Sequence, residues 1–255
     1  VALLGAAAVS TWARNRAWAD SASITAATAS ACAGSAKAQL SLGTTRLQAG
    51  DAAGARAAFR AALAIHPHYS DALYWLGRLA FTEAAAADGA ALATAERLLR
   101  AALHLNGLHP EANLFAALCA SRRGDVAAGV ELLGRAHAVA PHNAEIVRDY
   151  GAMLFRAGRI ADAAPHLRRA EAMFAQLRAL GDGSAHTRRA HASAALKLAA
   201  AELRLNGHAA CALYARRAAA LDASMGAAIV PLRELCERAG RDGTDTSGVH
   251  IDMVL

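Results

Sequence analysis

Eleven histidines and four cysteines are the residues in this chain best equipped for chemistry. The first question is whether any stand at ligand or nucleophile spacing. No HExxH, no Cys-x-x-Cys and no Cys/His cluster at metal-binding intervals occurs. Cys32, Cys119, Cys211 and Cys236 lie far apart, which points to neither a zinc site nor a dense disulfide framework. Cys119 falls in a helical pattern, where a free thiol packs as a small hydrophobe. His66 and His68 flank Pro67 at a helix end, a place where imidazoles meet the negative end of the helix dipole. The stretch GDGS at 181–184 lacks a following GK[ST] and is too short for a phosphate loop. Glu234 and Glu237 form an i, i+3 carboxylate pair on a basic helix and read as surface. The expectation is a chain with no catalytic residues, no metal and no cofactor of its own.

The elements that would carry a binding surface instead are helices. The 255 residues are 55% hydrophobic but only 5% aromatic, so the apolar content is largely Ala and Leu, which favours helices packed closely through small side chains. No Val/Ile/Thr alternation is long enough to compete as a strand. The net charge of +6 and the sequence pI of about 9.6 come from scattered arginines without a run of five like charges, which argues against a nucleic-acid partner.

The residues are arranged with a repeat. From Gly43, Ala55 follows by twelve, Phe59 by four more, Ala62 by three and Pro67 by five. Gly151, Ala163, Leu167 and Ala170 stand at the same twelve, four and three. Ala117, Gly129, Leu133, Ala136 and Pro141 repeat the whole count. Between them Gly77 is followed late by Ala95, because of the inserted AAAADGAALAT, after which Leu99 and Ala102 resume the step. The insertion is expected in the inter-helix turn. This spacing resembles the tetratricopeptide repeat, a unit of roughly 34 residues made of helix, turn and helix. The implied fold is all-α, a tetratricopeptide solenoid in which antiparallel helix pairs stack into a right-handed superhelix.

The expected organisation follows from the count. Residues 1–18 hold an apolar end and STWARNRAW, whose Trp and Arg resemble residues that collect at a membrane interface; they are read as a trimmed transmembrane helix end with its juxtamembrane segment, the alternatives being a buried helix or part of a signal peptide. Residues 19–35 are a degenerate half repeat. Full units span 36–69, 70–109 with the insertion, 110–143 and 144–177. Residues 185–236 form a degenerate fifth unit or cap, and 237–255 a flexible tail rich in Gly, Asp, Thr and Ser. Pro165 is expected in the first turn of its helix, where no amide proton is needed.

In such an array the first helix of each unit lines a concave groove. Positions 2, 5, 9, 12 and 13 of each unit should face it, and they give as candidate binding residues Lys37, Tyr74, Arg78, Phe81, Arg122, Arg148 and Arg156. Aromatic residues beside arginine suit a protein or peptide partner that is extended or acidic. The asparagine and lysine positions of the carboxylate-clamp co-chaperones are occupied by Leu40, Thr44 and Trp75, and the asparagine ladder of the O-GlcNAc transferases is absent.

Residues 9–175 resemble the transmembrane and tetratricopeptide repeat-containing protein O-mannosyltransferases. The resemblance rests on Arg14, Asn15 and Trp18 after an apolar helix end, and on the Ala36-Lys37 opening of the first unit; Cys32 is followed here by Ala33 where that family has proline. It implies a multi-pass endoplasmic reticulum parent that transfers mannose from a dolichol-phosphate donor, its catalytic acids upstream, and this chain as a membrane-tethered luminal recognition arm with cadherin-like acceptors as partners. The alternative is a non-enzymatic scaffold or adaptor, tethered by one span or cytoplasmic.

Overall fold

The computed structural model describes residues 10–12, 15, 18–84 and 89–247. Among the described residues the regular elements are helical: α1 (Ser21–Ala31), α2 (Ala36–Gln48), α3 (Ala52–Ile65), α4 (Ser70–Glu83), α5 (Gly89–Leu105), α6 (Pro110–Arg122), α7 (Val126–Val139), α8 (Ala144–Arg156), α9 (Ile160–Ala179), α10 (Ala185–Arg204), α11 (His208–Leu221) and α12 (Gly226–Asp242), with a 3₁₀ turn at Ala223–Met225. Cys119 and Ala120, within α6, mark the division into two compact units. In the first, α1 packs on α2, α2 pairs with α3 and α4 with α5; in the second, α7 packs on α8, α8 pairs with α9, α10 with α11, and α12 closes on α11.

The helix starts are written in the sequence. Ser35, Asp51, Asp125 and Asn143 each turn a side-chain oxygen onto an amide in the first turn of the helix that follows. Gly50 and Gly124, at φ +82° and +83°, supply the left-handed residue that lets the chain reverse after α2 and α6.

What locks three of the pairs, α2 with α3, α4 with α5 and α8 with α9, is a glycine facing a large residue. A Cβ on Gly43 would stand 2.3 Å from Phe59 Cε1, and one on Gly77 or Gly151 would stand 2.8 Å from Cγ of Leu99 or Leu167. The helices therefore cross where one has no side chain and the other fills the space. Phe59, Leu99, Leu133 and Leu167 are all fully buried, as the repeat count requires.

Three expectations need correcting: the place of the insertion, the depth of Pro165 and the start of the tail. The insertion does not lie wholly in the turn: α5 begins six residues before Ala95, whereas α3 begins three before Ala55, so part of the extra length is added helix. Pro165 sits one turn deeper than the first turn, because α9 starts at Ile160. Helix α9 runs on to Ala179 until GDGS stops it: Gly181 adopts φ +100°, and Ser184 caps α10 by accepting from the Thr187 amide at 3.2 Å. The tail does not begin at 237. Helix α12 continues to Asp242, and Thr246 is buried, its amide donating to Asn206 Oδ1 at 2.9 Å and its hydroxyl to the Leu203 carbonyl at 2.5 Å. The start of the expected transmembrane end, residues 1–9, lies outside the described residues; Trp12 and Trp18 are exposed, and no described helix is long and apolar enough to cross a membrane.

The second unit is held partly by polar ties, since its Ala-rich α10 offers little bulk. Buried Glu171 of α9 accepts from His191 Nε2 of α10 at 3.1 Å and from Arg217 Nη1 of α11 at 2.5 Å. Burial pushes that carboxyl up, but the two donors outweigh it and hold it below the ordinary range. Cys211 of α11 and Cys236 of α12, 5.8 Å apart at Cα, form a disulfide; Cys32 and Cys119 are free thiols.

The glycine crossing and the disulfide each lead to a measurable outcome. Gly151→Val should lower stability by roughly 2–3 kcal/mol in urea denaturation, since Leu167 cannot yield without opening the pair. Gly34→Ala, where a Cβ meets nothing within 4 Å, should cost nothing measurable. Reduction, or Cys211→Ala, should cost about 3 kcal/mol for the closed loop. Thiol titration of the denatured, unreduced chain should find only Cys32 and Cys119; four thiols would show the bridge is not formed.

Candidate functional site

In the first unit, Arg78 and its aromatic neighbours come from one helix face. Tyr74, Trp75 and Arg78 stand at i, i+1 and i+4 on α4, so the guanidinium lies back over the rings. Its carbon is 5.0 Å from the centre of Trp75 and 5.4 Å from that of Phe115 on α6, a cation–π sandwich. Nη1 also reaches the Tyr74 hydroxyl at 3.5 Å. No carboxylate of the described residues lies within ion-pair distance of Arg78. Glu111 lies nearby, its carboxyl held below the usual range by the hydrogen bond from His109 and, as the smallest cause, by the Arg78 charge. Arg78 thus has its position set by rings while its N–H groups remain largely unspent.

The other candidates of this unit behave differently. Tyr74 and Phe81 are 4% and 9% exposed and pack in the apolar cluster of Ala95, Leu99, Ala102 and Ala112, so they support the face and do not form it. Their positions point to the correct side of α4, but α6 covers that side. Lys37 lines a separate cleft on α2 with Ile24, Thr28 and Cys32 from the α1 side.

In the second unit, Arg148 and Arg156 project from α8. Arg148 donates through Nε and Nη2 to both carboxylate oxygens of Asp149 at 2.7 and 2.9 Å and lies over the Phe174 ring at 6.0 Å. Burial alone would weaken its proton affinity; the Asp149 charge outweighs this and raises it. Arg148 is therefore committed to packing. Arg156 is exposed, with Nη1 donating to Ser121 Oγ, and Arg122 is exposed at the end of α6.

Lys197 of α10 was not among the residues expected at the site, yet it joins this group. Burial presses its ammonium pKa down, and the Arg148 and Arg156 charges add to this against the pull of Asp149. Lys197 thus lies close to Arg148, Arg156 and Asp149, with Glu145 also acting on Arg148. A signal did exist in the sequence: Lys37 and Lys197 are the chain's two lysines among 27 basic residues, and Lys197 interrupts an otherwise apolar stretch, AALKLAAA.

One other cluster of titratable groups stands out. His137, Tyr150 and His166 meet where α7, α8 and α9 converge, with ring centres 4.9–5.5 Å apart. Burial first, then neighbouring charges including Arg169, hold both imidazoles below their ordinary pKa. No group of three metal-binding side chains is found among the described residues. The arrangement offers cations and hydrogen-bond donors rather than a nucleophile with its base.

Comparison with known proteins agrees with this architecture. A family model described as tetratricopeptide repeat matches residues 46–92. No curated protein matches the chain in sequence. Among solved structures it is similar to YrrB, described as a TPR protein with an unusual peptide-binding site, at TM-score 0.56 and 12% identity over 85% of this chain and 97% of that one. It is similar to TTC0263 of Thermus thermophilus, a thermophilic TPR protein, at TM-score 0.52 and 17% identity over 81% of this chain and 100% of the other. A chain of the Cut9-Hcn1 hetero-tetramer gives TM-score 0.66 at 17% identity, over 82% of this chain and 38% of that one. At such identities the likeness is one of fold, and the fold is that of the tetratricopeptide-repeat proteins.

Proposed function

We propose that this chain is a protein- or peptide-binding module whose first-helix faces receive acidic segments. The observation that carries the reading is Arg78: a half-buried guanidinium within 5.4 Å of two aromatic ring centres, with no carboxylate of the described residues in ion-pair reach. A cation so placed is pre-organised for an incoming carboxylate, because little rotamer freedom remains to be lost on binding. The exposed Arg156 of α8 extends the same chemistry to the second unit. The peptide-binding site in the printed description of YrrB supports this use of the fold.

A finer reading places the chain as the luminal arm of a membrane-bound dolichyl-phosphate-mannose protein O-mannosyltransferase, with cadherin-like acceptors. Two observations favour it over a cytoplasmic adaptor. The Cys211–Cys236 disulfide fits an oxidising compartment, and the exposed Trp12 and Trp18 fit a membrane interface. The sequence upstream of Val1 decides between them: several membrane spans with an acidic pair in the first luminal loop support the transferase, and a single span or none supports the scaffold.

The binding face itself is open to test with a fluorescein-labelled peptide of alternating Asp, Leu and Glu. Arg78→Glu with Arg122→Glu should weaken its binding about tenfold, the scale expected when a desolvated ion pair can no longer form, while helix content by circular dichroism is unchanged. A matching loss of helicity would show that these residues serve packing, and unchanged affinity would remove the first-helix face from the site.

A further inference from the structure

The second helices of the first unit carry a recess that the reading above does not use. Arg97, Arg100, Ala101 and His104 of α5 recur at i, i+3, i+4 and i+7 and so form one stripe. Facing it are Leu73 of α4 and the Pro67-His68 turn between α3 and α4, and the space between is about 560 Å³. Its floor is aliphatic, and Leu105 there is 39% exposed. Arg97 also lines an adjoining recess of about 390 Å³, shared with Arg56 and Arg60 of α3.

The charge balance of the two recesses is one-sided. Among the described residues Glu83 is the carboxylate lining them, and it is already paired with Arg56. Arg60, Arg97 and Arg100 make no ion pair with a described residue. Arg97 and Arg100 are exposed, so packing against other side chains does not hold them there.

We propose that this second-helix recess is a distinct docking site for an acidic peptide segment of a partner protein. An aliphatic side chain would enter beside Leu73, Ala101 and Leu105, and flanking carboxylates would meet Arg97 and Arg100. The complementarity is that of a hydrophobic centre within a charged rim, the arrangement of protein interfaces. A nucleic acid fits less well, because no Phe, Tyr or Trp lines the recess for a base to stack on. A bilayer surface fits less well too, since an interfacial helix presents one continuous apolar face, whereas the apolar residues here come singly from the turn, α4 and α5 between the cations.

The test uses the full chain, the labelled Asp/Leu/Glu peptide and its uncharged Asn/Leu/Gln counterpart, read by fluorescence anisotropy. In an Arg78→Glu, Arg122→Glu background, which removes the first-helix contribution, residual binding of the acidic peptide should persist. Adding Arg97→Glu and Arg100→Glu should then weaken it about tenfold further, and Arg97→Gln with Arg100→Gln should give a smaller loss, with helix content unchanged throughout. Residual binding that ignores both Arg97/Arg100 pairs overturns this site and leaves the first-helix reading standing. Equal affinity for the acidic and uncharged peptides also overturns it. So does phosphatidylserine-vesicle or poly(U) RNA binding that depends on Arg97 and Arg100 when peptide binding does not.

Discussion

The fold depends on a backbone crossing that admits no side chain. At Gly43, Gly77 and Gly151 the first helix of a pair runs so close to the second that a Cβ would collide with Phe59, Leu99 or Leu167. The large residue can be fully buried only because its neighbour is glycine, and the glycine is tolerated within a helix, at about 1 kcal/mol, only because the large residue fills the gap. Each depends on the other. The same arrangement occurs in both units, so it is a property of the pair and not of a particular place in the chain.

Close crossing through Ala and Gly has a consequence for the second unit. Small side chains bring helices together but bury little area each, and α10 is built largely from them. The shortfall is met with directional contacts: Glu171 between His191 and Arg217, Glu202 with Arg168 at 2.6 Å, Thr246 over the end of α10, and the disulfide joining α11 to α12. These close the end of the array where no further described pair follows to cover it. They also explain why α12 and residues 243–247 are ordered despite a composition that reads as a tail.

Periodic features were legible in the sequence and unique ones were not. The spacing of twelve, four and three specifies which residues meet across a helix pair, because it follows from helix pitch and crossing geometry, and it placed Phe59, Leu99, Leu133 and Leu167 correctly. It indicates the side of a helix but not the depth, which depends on what packs over that side; hence Tyr74 and Phe81 were read as a surface and are core. The bridge between Cys211 and Cys236 depends on how α11 and α12 align, which no local pattern records. Lys197 lies in the degenerate fifth unit, where the repeat spacing is too worn to assign groove positions.

The cations divide into two kinds, and the difference bears on what each can do. Arg148, Arg168 and Arg217 are spent: each meets a carboxylate at 2.9 Å or closer, so a ligand would have to displace a formed pair before gaining anything. Arg78, Arg97 and Arg100 are held by rings or by helix geometry alone, and a ligand carboxylate would displace no ion pair with a described residue there. Basic residues scattered evenly along a sequence are thus sorted by the fold into structural and available sets. The available set falls on two faces of the first unit, the first helix at Arg78 and the second at Arg97 and Arg100. A partner with one acidic segment would choose between the faces, and a partner with two, joined by a linker long enough to reach both, would bind each at the effective concentration set by the other, gaining affinity without any new contact.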